Sequence, residues 1–172
     1  MNDVSGNSSL KENDTSRALT DQRLEIFVDG CFEPASRRGG WAFVAYRDGV
    51  EVGFDFGGEP DSSNNAMEAI AVLKAIVWIQ ANALKEQAII WSDSIYAVTG
   101  CNNWLPVWKE NGWKKIQANP NARRRTISNA DVWKAIDLHL HRDNLINIVW
   151  CKGHSGIPGN ERADELADRG RL

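Results

Sequence analysis

The sequence predicts an α/β fold built on one five-stranded mixed sheet, three strands antiparallel and two parallel, with helices on its faces. Three observations predict it. Three β-type runs follow one another between residues 24 and 56, separated by turn signals. A long apolar run of helical length then leads into a short, continuously apolar strand. Beyond that, helix, strand and helix alternate to the end of the chain.

Leu24-Glu25-Ile26-Phe27-Val28 reads as the first strand and ends at Asp29-Gly30. Gly39-Gly40 is a turn signal. Trp41 to Tyr46 forms the second strand, Arg47-Asp48-Gly49 a hairpin turn, and Val50 to Phe56 the third strand, so the three make an antiparallel meander. Asp61-Ser62-Ser63 offers N-caps for a helix from about Asn64 to Ala81. Met67, Ile70, Val72, Leu73, Ile76 and Val77 make this helix apolar nearly all round, which predicts deep burial. Ala88 to Trp91 has the unbroken apolar character of a buried parallel strand. Strand, helix and strand in succession imply a right-handed crossover. A short helix follows near Ser94–Gly100, and another spans Asn102–Lys109. Gly112 to Ser128 is polar and loop-like; Asn129-Ala130-Asp131 caps a helix with Trp133, Ile136 and Leu140 on one face. Leu145 to Cys151 is the last strand and Gly153 to Gly156 a loop. Pro158 suits the first turn of a final helix ending near Gly170. Residues 1–20 form a mobile tail, and 21–172 one domain.

A chain of 172 residues, 42% hydrophobic and 25% charged, suits one domain with a full core. Cys31, Cys101 and Cys151 are odd in number and include no C-x-x-C pair, so they read as reduced thiols of a cytoplasmic protein. No run reaches membrane-spanning length, and the first twenty residues lack a signal-peptide stretch. The expected state is a monomer with no membrane and no obligatory protein partner. The total charge is −3, but Lys109 to Arg125 carries +5, leaving −8 elsewhere. That segment interleaves Trp108 and Trp113 with Lys109, Lys114 and Lys115 and ends in Arg123-Arg124-Arg125, a surface suited to a polyanion.

Four acids adjoin apolar runs in separate contexts: Asp29 in Val28-Asp29-Gly30, Glu68 in Asn64-Asn65-Ala66-Met67-Glu68, Asp93 in Ser92-Asp93-Ser94, and Asp164 in Asn160-Glu161-Arg162-Ala163-Asp164. Taken singly they read as a strand-ending turn, a surface helix residue, a helix cap and a solvated helix face. Taken together they are carboxylates set against a core, where charge is tolerated only if paired or bound to metal. Hard carboxylate oxygens suit Mg²⁺ or Mn²⁺. Ligands in open α/β sheets bind beyond the carboxyl ends of parallel strands, where Asp29 and Asp93 would face each other.

These contexts, in order and with Trp104-Leu105-Pro106-Val107-Trp108-Lys109-Glu110-Asn111-Gly112-Trp113-Lys114 and Val149-Trp150-Cys151-Lys152-Gly153-His154-Ser155-Gly156, closely resemble the type 1 ribonuclease H family in its bacterial-type single-domain form. The likeness spans Leu24 to Gly170. It implies the ribonuclease H-like fold and an endonuclease that hydrolyses the RNA strand of RNA–DNA hybrids, leaving 5′-phosphate and 3′-hydroxyl ends. Asp29, Glu68, Asp93 and Asp164 would be catalytic metal ligands for two Mg²⁺ ions, with Mn²⁺ a substitute. Two such ions activate water and stabilise the leaving oxygen. His154 would sit on a loop beside the leaving group and help move a proton or release product. Asn64 and Asn65 would approach the minor groove, where hybrids are read by shape and 2′-hydroxyls. Trp104, Trp108, Lys109, Trp113 and Lys114 match a basic protrusion that grips the DNA strand, and Ser63 and Asn129 match positions that hold a DNA phosphate. The competing expectation for the tryptophans is core packing.

The chain also departs from the family pattern. Its loop after Asp29-Gly30 reads Cys31-Phe32-Glu33-Pro34-Ala35-Ser36-Arg37-Arg38, and Pro34 has no N–H for a 2′-hydroxyl. Ile95 stands where many relatives have Gln, and Asp61 where a basic residue is common; the segment from Trp113 to Asn129 is lengthened. These differences bear on hybrid affinity and cut-site preference. Two rival readings stay open. One is a catalytically weak nucleic-acid-binding module. The other is a metal-dependent 3′ exonuclease of the same broad fold. The complete acid set disfavours the first and the protrusion with Lys152-Gly153-His154 the second.

Overall fold

The computed structural model describes residues 23–115, 126–141 and 145–172. Its strands are β1 (Leu24–Glu33), β2 (Arg38–Arg47), β3 (Val50–Pro60), β4 (Ala88–Ser92) and β5 (Ile146–Trp150). Its helices are α1 (Asn64–Asn82), α2 (Ile95–Thr99), α3 (Leu105–Glu110), α4 (Ala130–Leu140) and α5 (Pro158–Arg171). The strand order is β3-β2-β1-β4-β5. β1–β2 and β2–β3 are antiparallel; β1–β4 and β4–β5 are parallel, as the sequence predicts. The tail expected at 1–20 and the basic triplet Arg123-Arg124-Arg125 lie outside the described residues.

The two sheet faces are covered differently. Leu24, Ile26, Val28, Phe43 and Ile90 pack on one face against Val72, Ile76 and Ile79 of α1 and Trp133 and Ile136 of α4. On the other face Ala42 and Val44 meet Ala163, Leu166 and Ala167 of α5. Burying such side chains supplies about 1.5–3 kcal/mol each, which offsets the cost of ordering the chain.

Several local expectations change. β1 continues past Asp29 to Glu33, and Gly39-Gly40 lies inside β2, not in a turn. A Cβ on Gly40 would collide with the Ala167 carbonyl, so the glycine is there to let α5 lie close. The hairpin reverses earlier, where Arg37 takes φ 57°. The second hairpin turns at Asp48 (φ 53°) and Gly49 (φ 76°), the mirror-type turn that suits strand twist. α1 is not buried all round: Val77 is exposed and Ile70 and Leu73 are half-buried, because its alanines make the close contact while α4 covers only part of the outer side. The helix expected over Asn102–Lys109 is a wide turn, Gly100–Trp104, in which Leu105 N–H donates to the Gly100 carbonyl, followed by α3. Asn129 does precede α4, but in the left-handed conformation and without a side-chain cap bond. The segment expected as loop carries one antiparallel bridge, Lys114 to Thr126.

Candidate active site

Val28 pairs with Ser92 as the last register position between β1 and β4, so Asp29 and Asp93 stand side by side where this parallel pairing ends. α1 brings the third acid. Ser63 caps this helix, its hydroxyl accepting from Ala66 N–H at 3.2 Å, which fixes the cap five residues before Glu68. Gly30 lets α1 approach; a Cβ there would run into the Glu68 backbone nitrogen. Asp29, Glu68 and Asp93 each offer a carboxylate oxygen within 4.8 Å of the others. Asp29 and Glu68 are buried, at 7% and 5% exposure, and Asp93 is half-buried.

Such a cluster repels itself. Burial first, then the charges of Asp93 and Asp164, push the Asp29 carboxyl up to about 7, against a lowering hydrogen bond from Gly30. Burial, then Asp29 and Asp93, push Glu68 well above the carboxylate range. Glu68 Oε1 accepts from Asn64 Nδ2 at 3.5 Å, while the buried Oε2 has no hydrogen-bond partner among the described residues. Such an orphaned oxygen is costly, and a divalent cation would satisfy it and relieve the repulsion. The hard all-oxygen donor set fits Mg²⁺ or Mn²⁺.

Asp164 and His154 stand slightly apart. Asp164, on α5, is outside the 4.8 Å group, though its charge is felt at Asp29. Its own carboxyl is raised, by burial first; His154 opposes the shift, and Asp168 and Asp93 add to it. His154 takes φ 48° on the loop after β5, is largely exposed, and places Nδ1 3.8 Å from Asp164 Oδ2.

Three residues absent from the expected site complete its surroundings. Asn160 Nδ2 donates to Asp93 Oδ2 at 3.2 Å, Cys151 Sγ donates to Asn160 Oδ1 at 3.4 Å, and a side chain on Gly153 would strike Asp93 Oδ2. The available signal for Asn160 is an amide in the first turn of a helix whose same face carries Ala163, Leu166 and Ala167.

The expected substrate contacts divide into two groups. Ser63, Asn64 and Asn65 are exposed at the start of α1, beside the acids, although the Ser63 hydroxyl is used as a cap and Asn64 reaches Glu68. The second group lies on α3 and its surroundings. Tyr96, Trp104, Trp108 and Trp133 interlock with ring centroids 5.4–5.6 Å apart. Trp104 and Trp108 are half-buried walls of a groove of about 450 Å³ that Tyr96, Lys115 and Ile127 also line, and Trp108 at the same time packs on the core. Trp113 lies under the Lys134 ammonium at 5.7 Å, Lys109 pairs with Asp137 at 3.0 Å, and Lys114 is exposed. Asn129 Nδ2 and Trp133 Nε1 both donate to the Tyr96 hydroxyl, at 3.3 and 3.1 Å. Of the departures from the family pattern, Ile95 is exposed and Asp61 is paired with Arg37 at 2.8 Å.

The chain is similar to known proteins in sequence and in fold. The RNase H family pattern matches residues 21–171. A ribonuclease H of Pseudomonas paraeruginosa is 39% identical over 155 residues, covering 88% of this chain and 96% of that protein. One from Cupriavidus necator is 40% identical over 151 residues, covering 87% and 95%. Among solved structures, LC9-RNase H1, a type 1 RNase H with the type 2 active-site motif, superposes with a TM-score of 0.68 at 22% identity over 87% of this chain and 72% of its own. The PFV RNase H domain gives 0.67 at 22% identity, over 88% and 94%. At these identities the two structures speak to the fold, an RNase H-like one. With the family pattern over nearly its whole length and relatives at about 40% identity, the chain belongs to the ribonuclease H family.

Proposed function

We propose that this chain cuts the RNA strand of RNA–DNA hybrids internally at the Asp29, Glu68 and Asp93 cluster, leaving 5′-phosphate and 3′-hydroxyl ends. Ribonuclease H activity itself follows from family membership; the proposal concerns the residues and their roles. The carrying observation is three carboxylates within 4.8 Å of one another, two of them buried and one with an orphaned oxygen.

Asp29, Glu68 and Asp93 would hold Mg²⁺, with Asp164 completing the set for a second ion. Bound there, the cations supply activated water and charge stabilisation for the departing 3′ oxygen. The protein's part is positioning. Burial keeps the carboxylates in a low-dielectric setting, where their attraction for a cation is strong. Asn64 steadies Glu68, and Asn160 steadies Asp93. His154, exposed beside Asp164, would move a proton near the leaving group or speed release of the product. Ser63, Asn64, Asn65 and Asn129, with Trp104, Trp108, Lys109, Trp113 and Lys114, would hold the duplex.

An assay with labelled hybrid, duplex RNA and duplex DNA in Mg²⁺ tests this. Internal cuts confined to the RNA of the hybrid are expected. Release of single nucleotides from a 3′ end would replace the reading with an exonuclease, and binding without cleavage would reduce the chain to a binding module.

A further inference from the structure

Asp93 is the least enclosed of the three clustered acids, so what fixes its side chain has the greatest effect on the cluster. Among the described residues one side chain donates to its carboxylate, Asn160, through Nδ2 to Oδ2 at 3.2 Å. Asn160 is 1% exposed. The two ends of an amide are alike in shape and opposite in hydrogen bonding. If Asn160 were flipped, it would set an acceptor oxygen against the carboxylate and lose its hold on Asp93. The carboxylate, which only accepts, turns Nδ2 toward itself, and the amide oxygen left at the other end is satisfied by Cys151, whose Sγ donates to Asn160 Oδ1 at 3.4 Å. Cys151 is placed in turn by its backbone N–H, which donates to the Ser92 carbonyl at 2.9 Å. The contacts close a ring from Ser92 through Cys151 and Asn160 to Asp93, the residue after Ser92.

We infer that Cys151 is a positioning residue for hydrolysis: its thiol fixes the Asn160 amide, which holds Asp93 Oδ2 and leaves the other carboxylate oxygen to the cation cluster. The inference rests on the reading of Asp29, Glu68 and Asp93 as a divalent-cation site. A thiol is a weak donor, but without it a buried amide oxygen loses its partner and the amide loses one of the two contacts that hold it in place. Cys151 is buried at the foot of α5, so the thiol works as a hydrogen-bond donor and not as a nucleophile.

Three variants separate donation from packing. Cys151→Ser keeps a donor, Cys151→Val removes it at similar volume, and Cys151→Ala removes it without crowding should valine not fit. Two measurements are made on each folded protein: the Mg²⁺ dissociation constant by calorimetry, and the Asn160 side-chain amide resonances of metal-free, ¹⁵N-labelled protein. Groups that hydrogen-bond a metal ligand directly are worth about 10- to 100-fold in affinity or activity; acting one step further out, the valine and alanine variants should weaken Mg²⁺ binding by about 3- to 10-fold. They should also displace the Asn160 amide signals and lower kcat with KM for hybrid unchanged, while serine restores all three. Wild-type affinity with unmoved Asn160 signals in both valine and alanine variants overturns the inference alone, as does a serine variant as impaired as valine. An Asp29→Asn variant that takes up Mg²⁺ as tightly as the wild-type protein overturns the metal reading, and this inference with it.

Discussion

At Asp29 burial and neighbouring negative charge act in the same direction, and the consequences are measurable. Its carboxyl ordinarily titrates at 3.8 and in the folded protein at about 7. Between those values the folded state binds a proton that the unfolded chain has released. This contribution to metal-free stability is therefore full below about pH 4 and is lost as pH rises through 7. Glu68, raised for the same reasons, adds to the trend. Metal-free protein should melt at a lower temperature at pH 8 than at pH 5, and Mg²⁺ should restore much of the difference. A melting temperature that rises with pH in chelator would contradict the cluster's electrostatics. Removing one charge tests the same point: Asp29→Asn and Asp93→Asn should each abolish hydrolysis, and Asp29→Asn should stabilise metal-free protein at pH 8 by on the order of 1–2 kcal/mol. Near wild-type cleavage by either variant would remove that residue from the ligand set. His154 is exposed and, among the described residues, pairs with one acid, Asp164. His154→Ala should slow turnover by about 10²-fold or more without silencing it, since a positioned proton carrier contributes about 10²- to 10⁴-fold.

Between elements, the contact that assembles the site is the approach of α1 to β1 at Gly30. Gly30→Ala should force the helix back at the residue that bears the second acid, costing about 1–3 kcal/mol as overpacking does. A urea melt measures this cost, and the Mg²⁺ needed for half-maximal activity should rise with it. An unchanged melt and metal requirement would show that the two elements yield freely. This contact is also where the sequence stops being readable. The five strands, their pairing and Asp93 at the end of β4 follow from apolar periodicity and Asp-Ser, whereas Asp29-Gly30 reads as a strand end but lies inside β1. Gly39-Gly40 reads as a turn in the sequence because composition cannot tell a glycine that bends the chain from one that admits a helix. Asn160 and Cys151 are invisible there as site residues because their role depends on α5 and the end of β4 meeting, between positions far apart in the chain. The tryptophans are legible as aromatic but not as doubly employed, since the interlocking with Tyr96 is set by the wide turn at Gly100–Trp104.

Across the whole molecule, charge is segregated. A chain of net −3 concentrates +5 between Lys109 and Arg125. Replacing Arg123, Arg124 and Arg125 together with Ser should weaken hybrid binding. The log–log salt dependence should flatten by about 0.9 for each phosphate that the three arginines no longer neutralise. The effect should fall on KM, leaving kcat nearly unchanged, because groups that hold the backbone dock the duplex without taking part in its cleavage. An unchanged salt slope would make the triplet mere surface charge; a fall in kcat alone would bring it to the acids.

The acids come from four parts of the chain, the middle of β1, α1, the end of β4 and α5, and their order has a consequence during synthesis. Ribosomes add about 5–20 residues per second, so several seconds separate the appearance of Asp29 from that of Asp164. Throughout that interval the nascent chain holds Asp29, then Glu68 and Asp93, but lacks the amide that grips Asp93 and the helix that covers one face of the sheet. A chain stalled before residue 158 should remain inert toward hybrids, so that the capacity to cut nucleic acid arrives only once α5 has been added.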